Sequence, residues 1–418
     1  MKRLLLVAAG LLVGLFLLTL GAARAQDEKP LAPGWLSLDS SVGILDKAIG
    51  DGKGALEKAL GISISGFFDT SYTLSTNHPG SIWDRDISGR YFDQDHNDIV
   101  FNAFNLTLDK PEKDWGVGFH LAGDFGRAGE LLREATYYGK VKFKGAGNGG
   151  EPAAELREAF ATTTIPLGEG IGVKGGLFVT SLGTEILPNP GAYNENISRS
   201  FLFNFAVPLR HVGMLLSYPV HKMLTVSAGP VTGWDDPHPW NSTPSVLWGL
   251  NFTPADAFSL ASNFIYGPQQ LNNGAPKRFT MSHVATIKPF GPLTLFLEYT
   301  YGNEDRASPS LRDVSWQGFA AIASYGWTDR LTTALRGEYM KDADGMRTIF
   351  SGLFGTSTPR DVGLGEITLT GSYKFTKMLM GRAELRQDWA DKKVFALGNS
   401  GRADQAQTTI AFQMIYTF

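Results

Sequence analysis

Between Gly61 and Phe418 the sequence divides into about sixteen segments of strand length and pattern. The connections between them alternate strictly in length. Short ones fall at 109–114, 165–170, 218–222, 253–256, 288–292, 328–329 and 375–377, and long ones at about 75–97, 125–152, 180–210, 233–243, 267–278, 302–312, 341–361 and 390–404. The short connections are rich in Pro, Gly, Asp and Lys, and Pro both presets a turn dihedral and removes a strand donor. A soluble sandwich has no reason to order its loops in this way. An antiparallel up-and-down barrel that crosses a bilayer does, because one of its ends is built from tight turns and the other from long loops.

The faces of the segments point the same way. In 378–389, Leu379, Ala383, Leu385 and Trp389 alternate with Arg382, Glu384, Arg386 and Asp388. In 329–340, Leu331, Leu335 and Tyr339 alternate with Arg336 and Glu338, and in 362–375, Ile367, Leu369, Tyr373 and Phe375 alternate with Glu366, Thr368, Thr370, Ser372 and Lys374. The chain ends in "AQTTIAFQMIYTF", where Ile410, Phe412, Met414, Tyr416 and Phe418 share one side of a strand. An interior apolar face is what a soluble barrel needs. Here the charged face is the odd one out, so the sequence predicts lipid outside and water inside, and sixteen strands enclose a lumen too wide for side chains to fill. Segments 98–109, 279–288 and 313–327 alternate less cleanly. Trp115, Trp327, Tyr299, Tyr301, Tyr373, Phe375 and Trp389 near strand ends are candidates for interfacial girdles.

The first 25 residues read as an export signal: Lys2 and Arg3, an uncharged run from Leu4 to Leu20, then Ala23-Arg24-Ala25. An uncleaved anchor is the alternative reading of that run. Removing Lys2, Arg3 and Arg24 from the 38 basic residues leaves 35 against 41 acidic ones, a formal charge of −6 that offers nothing to nucleic acid. No later apolar run approaches the roughly 18 residues of a membrane helix, so any span is made of strands. Cys is absent, which excludes disulfides, thiolate metal sites and a cysteine nucleophile. Residues 26–60 are expected to form a periplasmic extension or a small plug with room for one or two short helices around "GDGKG", a poorly ordered leader being the alternative, and 61–418 to form the barrel.

Several stretches carry a family resemblance: "GFFDTSY" (66–72), "LREAFATTTIPLGEGIGVKGGLFVTSLGTEIL" (156–187), "NISRSFLFNFAVPLRHVGMLLSYPV" (196–220), "LTVSAGPVTGWD" (224–235) and the closing "MIYTF". The sequence resembles the OmpL-like β-barrel porins of Gram-negative outer membranes over about 61–418. That resemblance implies an outer-membrane barrel inserted by the assembly machinery that reads C-terminal strands ending like Phe418. It also implies porin-like passage of small hydrophilic solutes or ions. Analogy with porins of this strand number adds a homo-oligomer.

The third long connection, 180–210, is the candidate constriction, with Glu185, Glu195, Arg199 and Arg210 as opposed charges and Phe201, Leu202, Phe203 and Phe205 as anchors on the inner wall. The competing reading extends a strand through Phe201–Val207. Candidate lumen-lining residues are Lys174, Arg336, Arg382 and Arg386 on the basic side and Glu298, Glu338, Glu366, Glu384 and Asp388 on the acidic side, with Glu366 expected near Arg386 across a tight turn. "DQDHND" (93–98) begins with calcium-loop spacing but has Asp98 where Gly is needed and Phe104 where Glu is needed, so it reads as a solvated acidic loop. "GAGNGG" (145–150) precedes Glu151-Pro152 rather than a helix and reads as a loop, not a nucleotide site. No cofactor or metal is expected. Passive diffusion through a water-filled channel is the expected function. The alternatives are a plugged barrel serving adhesion or anchoring, and an outer-membrane hydrolase using His120 and Asp124 on one strand face.

Overall fold

The computed structural model describes residues 53, 54, 57, 58 and 61–418, except 81–85, 113–115, 138–153, 236–240, 309, 349–353, 355–360, 399–400 and the side chains of 135–137. The expected leader (1–25), most of the expected extension (26–60), Trp115 and the "GAGNGG" stretch lie outside the described residues. Sixteen long strands close into one antiparallel barrel, and two short ones form a separate hairpin. In chain order these are β1 (Ser63–Ser75), β2 (Ile99–Lys110), β3 (Gly118–Phe125), β4 (Ala154–Ile165), β5 (Ile171–Val179), β6 (Arg210–His221), β7 (Leu224–Val231), β8 (Ser245–Ala255) and β9 (Phe258–Gly267). They continue with β10 (Arg278–Phe290), β11 (Leu293–Glu304), β12 (Val314–Gly326), β13 (Leu331–Asp342), β14 (Val362–Lys374), β15 (Leu379–Ala390), the hairpin β16 (Phe395–Leu397) and β17 (Arg402–Asp404), and β18 (Ala406–Thr417). Each barrel strand pairs with its sequence neighbours, and β1 pairs with β18 to remove the last edge, Phe68 lying opposite Tyr416.

Register carries the face pattern around the wall. Leu335, Leu369, Leu385, Ile410 and Leu74 stand opposite one another in succession, forming an outward apolar row across five strands. On β18, Phe412 and Met414 are exposed outward, whereas Thr409, Ala411 and Ile415 are buried. Trp327, Tyr299, Phe375 and Trp389 also face outward with large exposed area.

Three of the short connections are tighter than the sequence suggests, whereas those expected at 109–114, 328–329 and 375–377 run over 111–117, 327–330 and 375–378. Strands β6, β8 and β10 continue through Pro219, Pro254 and Pro289, leaving turns of only two residues at 222–223, 256–257 and 291–292. The pairing registers slip at Pro219/His221, Phe252/Ala255 and Ile287/Phe290. Pro cannot donate to a ladder, so it is tolerated in a strand only where pairing is irregular.

The long loops hold structure that period-2 reasoning does not detect. Loop 2 carries the helix α1 (Arg127–Tyr137), loop 8 the β16–β17 hairpin, and loop 3 (180–209) a π-helical turn at Leu202–Ala206. The strand-extension reading of Phe201–Val207 is therefore corrected: the segment is a buried turn inside the barrel. Phe201, Leu202, Phe203 and Phe205 join Trp316, Met340, Leu364 and Phe395 in an apolar core at the long-loop end. Burying each such side chain contributes about 1.5–3 kcal/mol against the entropy of ordering the loop.

Candidate functional site: the loop 3 constriction

A loop that enters a barrel brings backbone donors and acceptors away from water, and each of them needs a partner. Charges on the β13–β15 wall supply those partners. Glu384 accepts hydrogen bonds from the consecutive amides of Ile197 (2.6 Å) and Ser198 (3.0 Å), and Glu338 accepts those of Phe201 and Leu202 (3.1 Å for the latter). Arg382 donates to the carbonyls of Asn194 (2.8 Å) and Glu195 (2.7 Å), Arg336 to that of Ser198 (2.8 Å), and Arg386 to that of Arg199 (2.5 Å). Residues 194–202 are thus held along β13 and β15 by both acidic and basic side chains. Farther up the loop, Glu298 accepts the Thr184 amide at 2.8 Å and the Thr300 hydroxyl at 2.9 Å.

The wall charges also neutralise one another. Arg336 bridges Glu366 (2.7 Å) and Glu185 (2.8 Å), and Glu185 in turn accepts the Ser200 amide at 2.7 Å. Arg386 lies 2.6 Å from Asp388 and 3.7 Å from Glu366. The side chains of Arg336, Glu366, Arg386 and Asp388 are wholly removed from solvent. Glu195 accepts the Ser324 hydroxyl at 2.6 Å. Arg210 stands apart at the start of β6, bound to Glu155 (2.6 Å) and the Leu156 carbonyl (2.6 Å). Lys174 is partly exposed on β5, with its ammonium 4.8 Å from the Phe160 ring centre.

Loop 1 enters the lumen as well. Arg90 reaches Asp93 (2.5 Å) and Asp388 (2.8 Å); burial opposes its charge, but the two carboxylates more than offset that and raise its pKa. The "DQDHND" loop is not simply solvated. Asp95 pairs with Arg127 at 3.1 Å, and Asn97 accepts from the Tyr72 hydroxyl at 2.7 Å. Above the π-helical turn, Trp316 donates to the Ala206 carbonyl (3.1 Å) and Arg347 to that of Phe205 (2.8 Å). Arg347 and Arg278 stack on Trp234 at 4.7 and 4.9 Å. Burial, followed by the nearby Arg278 charge, pushes the Arg347 pKa down to about 10.

On the other side of the lumen the inner surface is wetter. Lys174, Ser217, Thr225, Ser227 and Asn251, toward the short-turn end of β5–β8, keep partial or full exposure, while Glu338, Glu366, Arg386 and Asp388 are covered. A closed barrel with tight turns at one end, and a third loop bound to inward charges of β13 and β15, are the features that the structure brings together.

A family profile described as "Putative beta-barrel porin-2, OmpL-like" matches residues 61–418. The chain belongs to this porin family. It is an outer-membrane channel for passive diffusion, and its strands cross the outer membrane of a bacterium. Among solved structures this porin is similar to the outer membrane channel DcaP of Acinetobacter baumannii, with 14% identity, a TM-score of 0.55, and coverage of 85% of this chain and 97% of that one. It is similar also to an anion-selective porin from Comamonas acidovorans, with 12% identity, a TM-score of 0.55 and coverage of 85% and 99%. A third is OmpF of Salmonella typhi in complex with daunomycin, with 12% identity, a TM-score of 0.55 and coverage of 85% and 97%. At these identities the likeness speaks for the fold. No curated protein matches the sequence.

Sequence reasoning did not single out Arg90, Trp316 or Arg347 as parts of this site, nor Arg157, which donates to the Pro188 carbonyl of loop 3. Each is an isolated charge or aromatic in a loop or at a strand end, and only the inward fold of the loops brings them together. A helical reading of "RAGELLREATY", with Leu131 and Leu132 on one side, is the one signal that would have marked α1.

Proposed function

We propose that this porin is a narrow channel in which loop 3 fills the lumen against β13–β15 and β1–β4 and solutes pass along the β5–β8 side. The clamp of Glu338 and Glu384 on four loop amides carries this reading, because it makes loop 3 a fixed wall rather than a movable rim. Small hydrophilic solutes fit the Ser, Thr, Asn and Lys side chains left exposed on β5–β8. In this reading Arg336, Arg382, Arg386, Glu366 and Asp388 hold the constriction in place rather than contact solutes.

A hydrolase reading gains no support at His120. Its Nδ1 lies 2.6 Å from Asp109 and its Nε2 3.3 Å from Glu158, so two carboxylates flank the ring where a nucleophile would have to stand. Asp124 meets Asn105 at 2.7 Å instead. The terminal strand supports recognition by the outer-membrane assembly machinery: Phe418 packs on Phe68 and Phe104 and exchanges backbone hydrogen bonds with Gly66. Export through the 1–25 leader and association of copies complete the proposal.

The test is single-channel conductance of the refolded protein in a planar bilayer, beside a variant with residues 184–206 replaced by a short Gly/Ser bridge. A small wild-type conductance that rises several-fold in the variant is the expected result. Equal conductances would overturn the loop 3 constriction, and silence from both folded barrels would favour an anchoring barrel.

A further inference from the structure

Most buried arginines in this lumen pair closely with a carboxylate, and three do not: Arg382, whose nitrogens find the Asn194 and Glu195 carbonyls, Gln413 and Ser372 instead, and then Arg157 and Arg199, which do not find a full set. Arg90, Arg210, Arg336 and Arg386 each have a carboxylate oxygen within 2.8 Å. Arg157 on β4 and Arg199 on loop 3 are 1% and 8% exposed. The nearest carboxylate to Arg157 is Asp124 at 3.7 Å, and Arg199 makes no ion pair within 4.0 Å among the described residues. Both line one internal cavity of about 60 Å³ between loop 3 and the β1–β4 wall. Three of their nitrogens, Nε and Nη2 of Arg157 and Nε of Arg199, are buried without an acceptor. The Oδ1 oxygen of Asp93, in the same cavity, is buried without a donor.

The other cavity carboxylates are engaged by amide side chains. Asp69 accepts from Asn102 (3.1 Å) and Gln413 (2.9 Å), and Asp124 accepts from Asn105 (2.7 Å). Phe67, Leu187 and Ile197 close the rest of the wall. Burial pushes the Arg199 pKa down from its ordinary guanidinium value, with Glu185 and Asp93 only partly opposing it, as expected of a charge that lacks a close partner.

Buried donors left without acceptors destabilise the folded state, so the cavity favours an occupant with matching groups. We propose that it is a binding site for one small carboxylate that also carries a hydrogen-bond donor, a short hydroxy acid or amino acid held in transit. The carboxylate lies between the Arg157 and Arg199 guanidiniums, and the hydroxyl or ammonium faces Asp93 Oδ1. One water needs about 10–15 Å³ of such space, so the cavity takes about four to six non-hydrogen atoms, which sets the upper size at a two-carbon acid. That the acid reaches the cavity from the lumen rests on the porin reading; the site itself does not.

The experiment is titration calorimetry of the refolded full barrel in detergent with glycolate, glycine and acetate, together with the bilayer current in the presence of the same compounds. Saturable binding of glycolate or glycine, weaker for acetate, is expected. Arg199→Gln and Arg157→Gln should each weaken it about tenfold or more through loss of a charge-assisted hydrogen bond. Arg199 lies on a loop, so its variant tests the site with the barrel intact. No saturable heat from a conducting wild-type barrel, or unchanged affinity in both variants, would overturn the proposal and leave the cavity to water. Binding without any conductance would keep the site and overturn the porin reading.

Discussion

Glu338 of β13 accepts hydrogen bonds from the successive backbone amides of Phe201 and Leu202, and so fixes the π-helical turn of loop 3 to the barrel wall. A carboxylate satisfies both amides in one step, which an apolar wall cannot do. Replacing Glu338 by Ala leaves two buried amides without acceptors and costs about 2–5 kcal/mol in the loop contact. The barrel itself should survive, since its ladders do not involve this side chain. Higher single-channel conductance and faster proteolysis within 194–206 are the expected outcomes, with Glu338→Gln intermediate.

Arg336 has a different role, because it neutralises two carboxylates as well as holding the Ser198 carbonyl. Arg336→Met should strand Glu366 and Glu185 in the interior and destabilise the folded barrel by about 3–5 kcal/mol. Arg336→Lys keeps the charge but cannot reach all three partners, so it should recover part of the loss. Denaturant midpoints of the refolded proteins, compared at constant slope, measure both.

Gly89 has a positive φ of 72°, and a Cβ there would stand 2.9 Å from the Phe354 ring and 3.2 Å from Phe201. Gly89→Val should therefore cost about 1–3 kcal/mol in backbone strain and contacts. The loss is local to the outer loops. Faster hydrogen exchange in loops 1 and 3, with unchanged exchange in β1–β18, is the expected pattern.

Leu369 stands outward between Leu335 and Leu385 in the row that crosses the wall. Leu369→Arg should destabilise the barrel in lipid by about 2–4 kcal/mol if this row lies at mid-membrane, and by far less near an interface. Unfolding in vesicles, repeated with Arg at Phe375 next to the short turn, should show the larger loss at Leu369.

Much of the fold is legible before any coordinates. Alternation such as Leu379, Ala383 and Leu385 against Arg382, Glu384 and Arg386 has a period of two, and each period-2 segment declares a strand with one face for lipid. Alternating connection lengths add the up-and-down order. Proline was the misleading element. Pro219, Pro254 and Pro289 read as turn residues, yet they sit in strand ends where a slipped register spares the missing donor.

The site was legible only in part. Glu338, Glu366, Arg336 and Arg386 are visible as inward charges, and loop 3 is visible as long and Phe-rich. Their pairing is not visible, because Arg336 meets Glu185 across 151 positions and Arg386 meets the Arg199 carbonyl across 187. Local sequence therefore determined the strands and their faces, which depend on neighbours two residues apart, and the alternating connection lengths placed the long loops at one end. Closure of β1 on β18 and the inward fold of loops 1 and 3 were decided by tertiary structure, because buried backbone and buried charge must find partners wherever the closed barrel brings them within reach.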